Sequence, residues 1–175
     1  MKPFLPMRSS THLPPRRALL ATAALLLGGV AGCSGRDPAP SFGYTLLDGA
    51  KGHTDALRGK VVLVNFWATS CVSCVKEMPQ IVATHQRFKA RGFETLAVAM
   101  SYDPPAYVAN FAQTRQLPFG VVIDNTGAIA RAFNDTQITP TTFLIDKRGA
   151  IVKRYVGEPD FAELGGLVEK LLAEA

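Results

Sequence analysis

The stretch KVVLVNFWA, Lys60–Ala68, constrains this chain more than any other. Apolar residues run through it without alternation, and its β-branched side chains crowd a helix but fit a pleat. Such a run predicts a strand covered on both faces, hence a largely parallel sheet with helices packed on each side. Immediately after it comes TSCVSCVKEMP, Thr69–Pro79, with two of the three cysteines two residues apart.

The remaining pattern agrees with that architecture. Helical spacing of Val75, Met78, Val82, His85 and Phe88 predicts a helix from about Cys71 to Arg91, stopped by Gly92. Pro79 falls inside it and is expected to kink it. A strand and turn are expected from Phe42, a buried strand from Phe93, and a proline-started helix in DPPAYVANFAQTRQ. A strand from Phe119, a short helix in TGAIARAF, and two strands joined at Lys147-Arg148-Gly149 follow, before a terminal amphipathic helix. The alternation of strand and helix, closing on a hairpin and a helix, predicts an α/β sandwich with a mixed central sheet.

The N-terminus reads separately. Lys2, Arg8, Arg16 and Arg17 precede the uncharged stretch ALLATAALLLGGVAG, Ala18–Gly32. A basic leader before an apolar stretch shorter than about 20 residues reads as an export signal rather than a spanning helix. It ends in VAGC, Val30–Cys33, which resembles the lipobox of bacterial lipoproteins. That resemblance implies a signal peptide over residues 1–32 and lipidation of Cys33. It implies a flexible tether over 33–41, a folded domain over 42–175, and, from Ser34, the outer rather than the inner membrane. Ordinary secretion fits the leader better than the twin-arginine route. The nineteen basic and fourteen acidic residues give +5, but four of the cations lie in the leader. Cleavage leaves fifteen against fourteen, or +1, so the basic balance is no evidence for nucleic-acid binding.

An exported compartment is oxidising, which limits what Cys71 and Cys74 can be. A structural zinc site needs four ligands, and neither His53 nor His85 stands at metal-site spacing. Covalent haem needs a histidine after the second cysteine, where Val75 stands. A disulfide closing so short a loop would add little stability. Electron exchange fits better. Residues three apart on a helix have Cα atoms about 5 Å apart, within disulfide range. A cysteine at a helix start is also favoured as a thiolate by unpaired N–H groups and the dipole. Cys71 is therefore expected to attack and Cys74, a turn further in, to resolve.

NFWATSCVSC together with TPTTFLID resembles the thioredoxin superfamily, in particular the membrane-tethered extracytoplasmic thiol-disulfide oxidoreductases of the TlpA/ResA/CcmG type. The resemblance implies a thioredoxin-like three-layer α/β/α sandwich with a mixed central sheet and a cis-proline loop. By the same resemblance Pro140 is cis and Thr139 pairs with an extended substrate segment. Trp67 then packs beside the disulfide and contributes to substrate binding, and Glu77 assists proton transfer near the sulfurs. Asn65 stands where thioredoxins carry a buried acid, so that relay is expected to be absent, and Ser70 stands where the family often has Trp. His53 and His85 read as surface or half-buried residues without a catalytic role.

Val72-Ser73 between the cysteines supplies no cation, which favours a reductant. The expected activity is reduction of protein disulfides by a monomer, with electrons from a membrane thiol donor and no cofactor or metal beyond the cysteine pair. The competing expectation is a Cu(I) chaperone using the same two sulfurs. A peroxidase is disfavoured, because Val64 and Ala68 stand where peroxiredoxins carry proline and a hydroxyl residue.

Overall fold

The computed structural model describes Met1 and residues 35–174. The leader, Cys33 and the expected lipidation site lie outside the described residues. A five-stranded mixed sheet, in the order β5-β4-β3-β6-β7, forms the centre. A separate two-stranded hairpin, β1 (Gly43–Thr45) and β2 (Lys51–His53), precedes it. The main sheet comprises β3 (Val61–Trp67), β4 (Phe93–Ala99), β5 (Gly120–Ile123), β6 (Thr141–Ile145) and β7 (Ile151–Val156). β3, β4 and β5 run parallel, while β6 is antiparallel to both β3 and β7.

Alternation along β3 builds the two cores. Val61, Leu63 and Trp67 enter one cluster, with Cys74, Met78, Ile81 and Phe88 of α1 (Val72–Phe88) and Leu164, Val168 and Leu171 of α4 (Phe161–Ala173). Val108 of α2 (Pro105–Thr114) joins that layer. Val62, Val64 and Phe66 enter the other cluster, with Ile129 and Ala130 of α3 (Ala128–Ala132) and with Phe133 and Phe143. All seven residues of β3 are buried. That is the outcome expected for a strand with an apolar side chain on each face and helices on both. The result is the expected three-layer sandwich.

α1 ends at Phe88 rather than Arg91. A 3-10 turn over Lys89–Arg91 follows, and Gly92 at φ 93° closes it in the left-handed region that glycine adopts without a Cβ clash. Pro79 sits within α1, which continues past it. The expected tether is also shorter at its distal end. Ala39 donates its N–H to the Gly149 carbonyl at 2.9 Å, and Asp37 accepts from Ile151 at 2.8 Å. Arg36 meets the Asp146 carboxylate at 3.3 Å. Residues 36–39 thus lie along the start of β7, where unpaired strand groups offer backbone partners.

Candidate active site

Three loops meet at one end of the sheet. β3 and β4 deliver their C-terminal ends there, and β6, being antiparallel, begins there. Phe66 is opposite Thr141 in register, so the Thr139-Pro140 segment before β6 falls beside the end of β3. The Met100 N–H bonds the Trp67 carbonyl at 2.9 Å, which holds the loop after β4 against the loop after β3.

Cys71 caps α1. Its backbone is extended, at φ −88° and ψ 105°, and its sulfur accepts the Cys74 backbone N–H at 3.2 Å. A helix start carries unpaired N–H groups, and here one of them is aimed at the sulfur. The Ser73 hydroxyl stands 3.5 Å from the same sulfur. Cys71 and Cys74 are joined as a disulfide, with Cα atoms 5.2 Å apart. The two sulfurs differ in access. Cys71 is partly exposed and Cys74 is fully buried, while Val72 between them is 84% exposed.

Glu77 lies one turn beyond Cys74 and is 0% exposed. Its Oε1 accepts a hydrogen bond from Asn65 Nδ2 at 3.0 Å, and the same amide nitrogen donates to Thr142 Oγ1 at 2.9 Å. Among the described residues Glu77 Oε2 and Asn65 Oδ1 have no hydrogen-bond partner. Burial pushes the Glu77 carboxyl up to about 7; the Asn65 hydrogen bond opposes that rise and the negative charge of Glu158 adds to it. The strand position carries no acid, as expected, and the buried acid stands on the helix instead: Glu77 reaches Asn65 from α1.

The Thr139–Pro140 peptide bond is cis, Pro140 is buried and Thr139 is partly exposed. Trp67 corrects an expectation. It is 0% exposed and its ring packs on Phe111, with centroids 5.1 Å apart. It shares the apolar cluster with Cys74 and presents nothing to a substrate, so it supports the site from beneath. His85 is buried rather than half-exposed: its Nδ1 stands 3.2 Å from Thr95 Oγ1, and its ring meets Phe119 edge-on at 5.4 Å. Among the described residues no group of three or more His, Cys, Asp or Glu side chains is placed to hold a metal ion.

Sequence reasoning missed Asp103. It is 2% exposed, and its carboxylate accepts the Thr69 N–H and the Thr69 hydroxyl, each at 2.6 Å. This clasp fixes the turn that leads into Cys71. The only signal was an acid before Pro104-Pro105, which reads equally well as an ordinary helix start.

A cysteine pair on the first turn of a helix, with a cis-proline loop at the same end of an α/β/α sandwich, defines a thioredoxin-fold thiol-disulfide oxidoreductase. The chain belongs to the redoxin family, whose model matches residues 35–168. It is 37% identical over 133 residues to the thiol-disulfide oxidoreductase ResA of Bacillus anthracis, covering 76% of each chain. The Bacillus subtilis (strain 168) ResA is 36% identical over 119 residues, covering 68% of this chain and 65% of that one. Solved structures agree. A thioredoxin-type protein from Neisseria meningitidis superposes with a TM-score of 0.74 at 41% identity, covering 79% of this chain and 93% of that one. A thiol:disulfide interchange protein of the thioredoxin family from Chlorobium tepidum TLS gives 0.72 at 31% identity, covering 79% and 97%.

Proposed function

We propose that the protein is a membrane-tethered periplasmic reductase of protein disulfides, with Cys71 as nucleophile, Cys74 as resolving thiol and Glu77 as the proton-transfer group. The observation that carries this reading is the asymmetry of the pair. One sulfur is reachable and faces a helix N–H, while the other is sealed beneath it one turn from a buried carboxyl.

In the reduced protein the Cys71 thiolate attacks a substrate disulfide. One new S–S bond forms to Cys71, and one substrate sulfur leaves as a thiolate. Cys74 gives its proton to Glu77 and its sulfur attacks the Cys71 sulfur of the mixed disulfide. The second substrate thiolate departs, leaving the Cys71–Cys74 disulfide. The substrate has gained two electrons and the protein has lost two. A membrane thiol donor restores the dithiol. A carboxyl near 7 suits this role, because at neutral pH both its forms are populated. The partly exposed Thr139 offers backbone groups to an extended substrate segment in the manner of strand addition. Pro140 shapes the loop, and its own carbonyl is already engaged by the Gly157 N–H at 2.8 Å.

The export leader and the VAGC sequence support lipidation at Cys33, with Ser34 favouring the outer membrane. Oxidised cysteine pairs of apocytochrome c and of respiratory metal sites are the substrates that fit this chemistry. Val72 and Ser73 supply no cation to stabilise the thiolate, which supports net reduction. The test is capture in the cell envelope. Cys74→Ser accumulates mixed disulfides through Cys71, and Cys71→Ser does not. Equal capture by both variants would refute the assignment of roles.

A further inference from the structure

The loop between β4 and α2 touches both halves of the site through consecutive residues. Asp103 holds the turn before Cys71 through its two hydrogen bonds to Thr69. Tyr102, beside it, places its hydroxyl 3.4 Å from Thr139 Oγ1. That is long for an O–H···O bond, so it marks proximity more than energy. The loop has little freedom to carry Tyr102 elsewhere. The Asp103 N–H bonds the Met100 carbonyl at 3.0 Å, the Met100 N–H bonds Trp67, and Pro104 and Pro105 stiffen the entry to α2. Tyr102 is nevertheless 58% exposed, although a tyrosine ring is large enough to be worth burying. Ile138, just before Thr139, is also 58% exposed, and Val72 is more so. Large apolar side chains left in water on a stiff frame, at the mouth of a reactive site, are the features of a recognition surface.

We propose that Tyr102 is a specificity-determining residue for disulfide exchange: its ring forms a side wall of the substrate site beside Thr139, and it favours disulfides carried on an extended polypeptide over small-molecule disulfides. The inference rests on the protein-disulfide reading of the site. A polypeptide laid along Thr139 runs past the ring and buries it together with its own side chains. A small disulfide reaches Cys71 without filling that space. Asp103 contributes only by holding the loop, so it is a positioning residue.

The test compares two substrates. One is a ten-residue peptide with an internal disulfide flanked by leucine and valine; the other is the chromogenic aromatic disulfide 5,5′-dithiobis(2-nitrobenzoate). Pre-reduced wild type, Tyr102→Ala and Tyr102→Phe are assayed on both. Tyr102→Ala is expected to lower kcat/KM for the peptide about tenfold, mainly through KM, the scale of losing one contact ring. The rate with the small disulfide stays within about twofold, since only the wall is removed. Tyr102→Phe keeps the ring and is expected to restore most of the peptide rate. Equal loss on both substrates, or no loss on the peptide while wild type turns over both, overturns the inference and leaves the reductase reading standing. A wild type that reduces the small disulfide but not the peptide removes the protein-disulfide reading, and the inference with it.

Discussion

Helix α1 carries two buried titratable side chains, Glu77 near its start and His85 near its end, and the protein treats them oppositely. Each faces a polar residue on the strand beneath: Asn65 of β3 meets Glu77, and Thr95 of β4 meets His85. Both interrupt the apolar face that β3 and β4 turn towards α1. At the far end the arrangement is settled. The histidine has its hydroxyl partner and two aromatic neighbours, and burial holds its pKa below the ordinary 6.5, so it stays neutral. At the cysteine end the arrangement is left open. Among the described residues two oxygens of the Asn65–Glu77 pair have no hydrogen-bond partner, and the carboxyl is poised near neutrality. A buried polar group without a partner costs about 1–3 kcal/mol. One helix thus holds a neutral, partnered histidine at one end and a carboxyl that titrates near neutrality, one turn from a cysteine, at the other.

The sharpest way to break this contrast is to remove the chemistry from one end only. Cys71→Ser is expected to lower disulfide exchange more than about a thousandfold, as loss of a nucleophile does. His85→Gln is expected to leave the exchange rate within about twofold of wild type. Stopped-flow reaction of pre-reduced variants with a peptide disulfide measures both. A large rate loss in His85→Gln would mean that the far end takes part after all.

Glu77 comes next in size. Glu77→Gln is expected to slow exchange about a hundredfold at pH 7, the lower range for loss of an acid–base group, and to erase the rate inflection near that pH. Stability moves the other way. The folded carboxyl titrates near 7 and the unfolded one near 4.5, so in that interval the folded protein holds more protons. Stability from this group is therefore full below about 4.5 and is lost as pH rises through about 7. The two values correspond to a swing of ~3 kcal/mol. Urea unfolding of the oxidised proteins is expected to show Glu77→Gln gaining on wild type between pH 5 and pH 8. Parallel pH profiles would show that Glu77 does not titrate as a buried acid.

His85 has the opposite sign and a smaller effect. Its folded pKa is depressed by burial, with Glu94 opposing that and Lys89 adding to it. Stability from His85 is present above about 6.5 and falls as pH drops below it, where the unfolded chain takes up the proton first. His85→Gln removes this acid-side loss and leaves the Glu77 profile intact. A single variant that flattened both sides would show that the two residues titrate as one system.

How much of this was legible depends on the range of the interaction. The strands announced themselves through local runs such as VVLV and LAVA, and the Cys71–Cys74 bond followed from three-residue spacing on a helix. Trp67 was read half correctly: its place beside Cys74 was visible, but its complete burial under α2 depends on Phe111, forty-four residues away in the chain. Asn65 and Glu77 were each legible alone, one as a strand position without an acid and the other as an acid one turn past Cys74, but the hydrogen bond that joins them spans twelve residues and was not. The Thr69–Asp103 clasp and the Tyr102–Thr139 contact join loops separated by 34 and 37 residues, and no local pattern encodes them. The short hairpin β1–β2 was only half seen, because GYT and KGH carry too few apolar residues to mark a strand pair.

The smallest expected effect tests what holds the outer sulfur. Two donors face Cys71 Sγ, the Cys74 backbone N–H at 3.2 Å and the Ser73 hydroxyl at 3.5 Å. The backbone donor is fixed by the helix and survives any side-chain change, and the dipole of a seventeen-residue helix adds to it. The hydroxyl is exposed and shared with water. Ser73→Ala is therefore expected to reduce the neutral-pH thiolate fraction of Cys71 only about two- to threefold, read from the pH dependence of its alkylation. Val72→His, which adds a partial cation beside the sulfur, is expected to raise that fraction by a similar factor and to make the disulfide more oxidising. A tenfold loss in Ser73→Ala would move the origin of Cys71 reactivity from the helix start to one side chain, and with it the reason why the two ends of α1 differ.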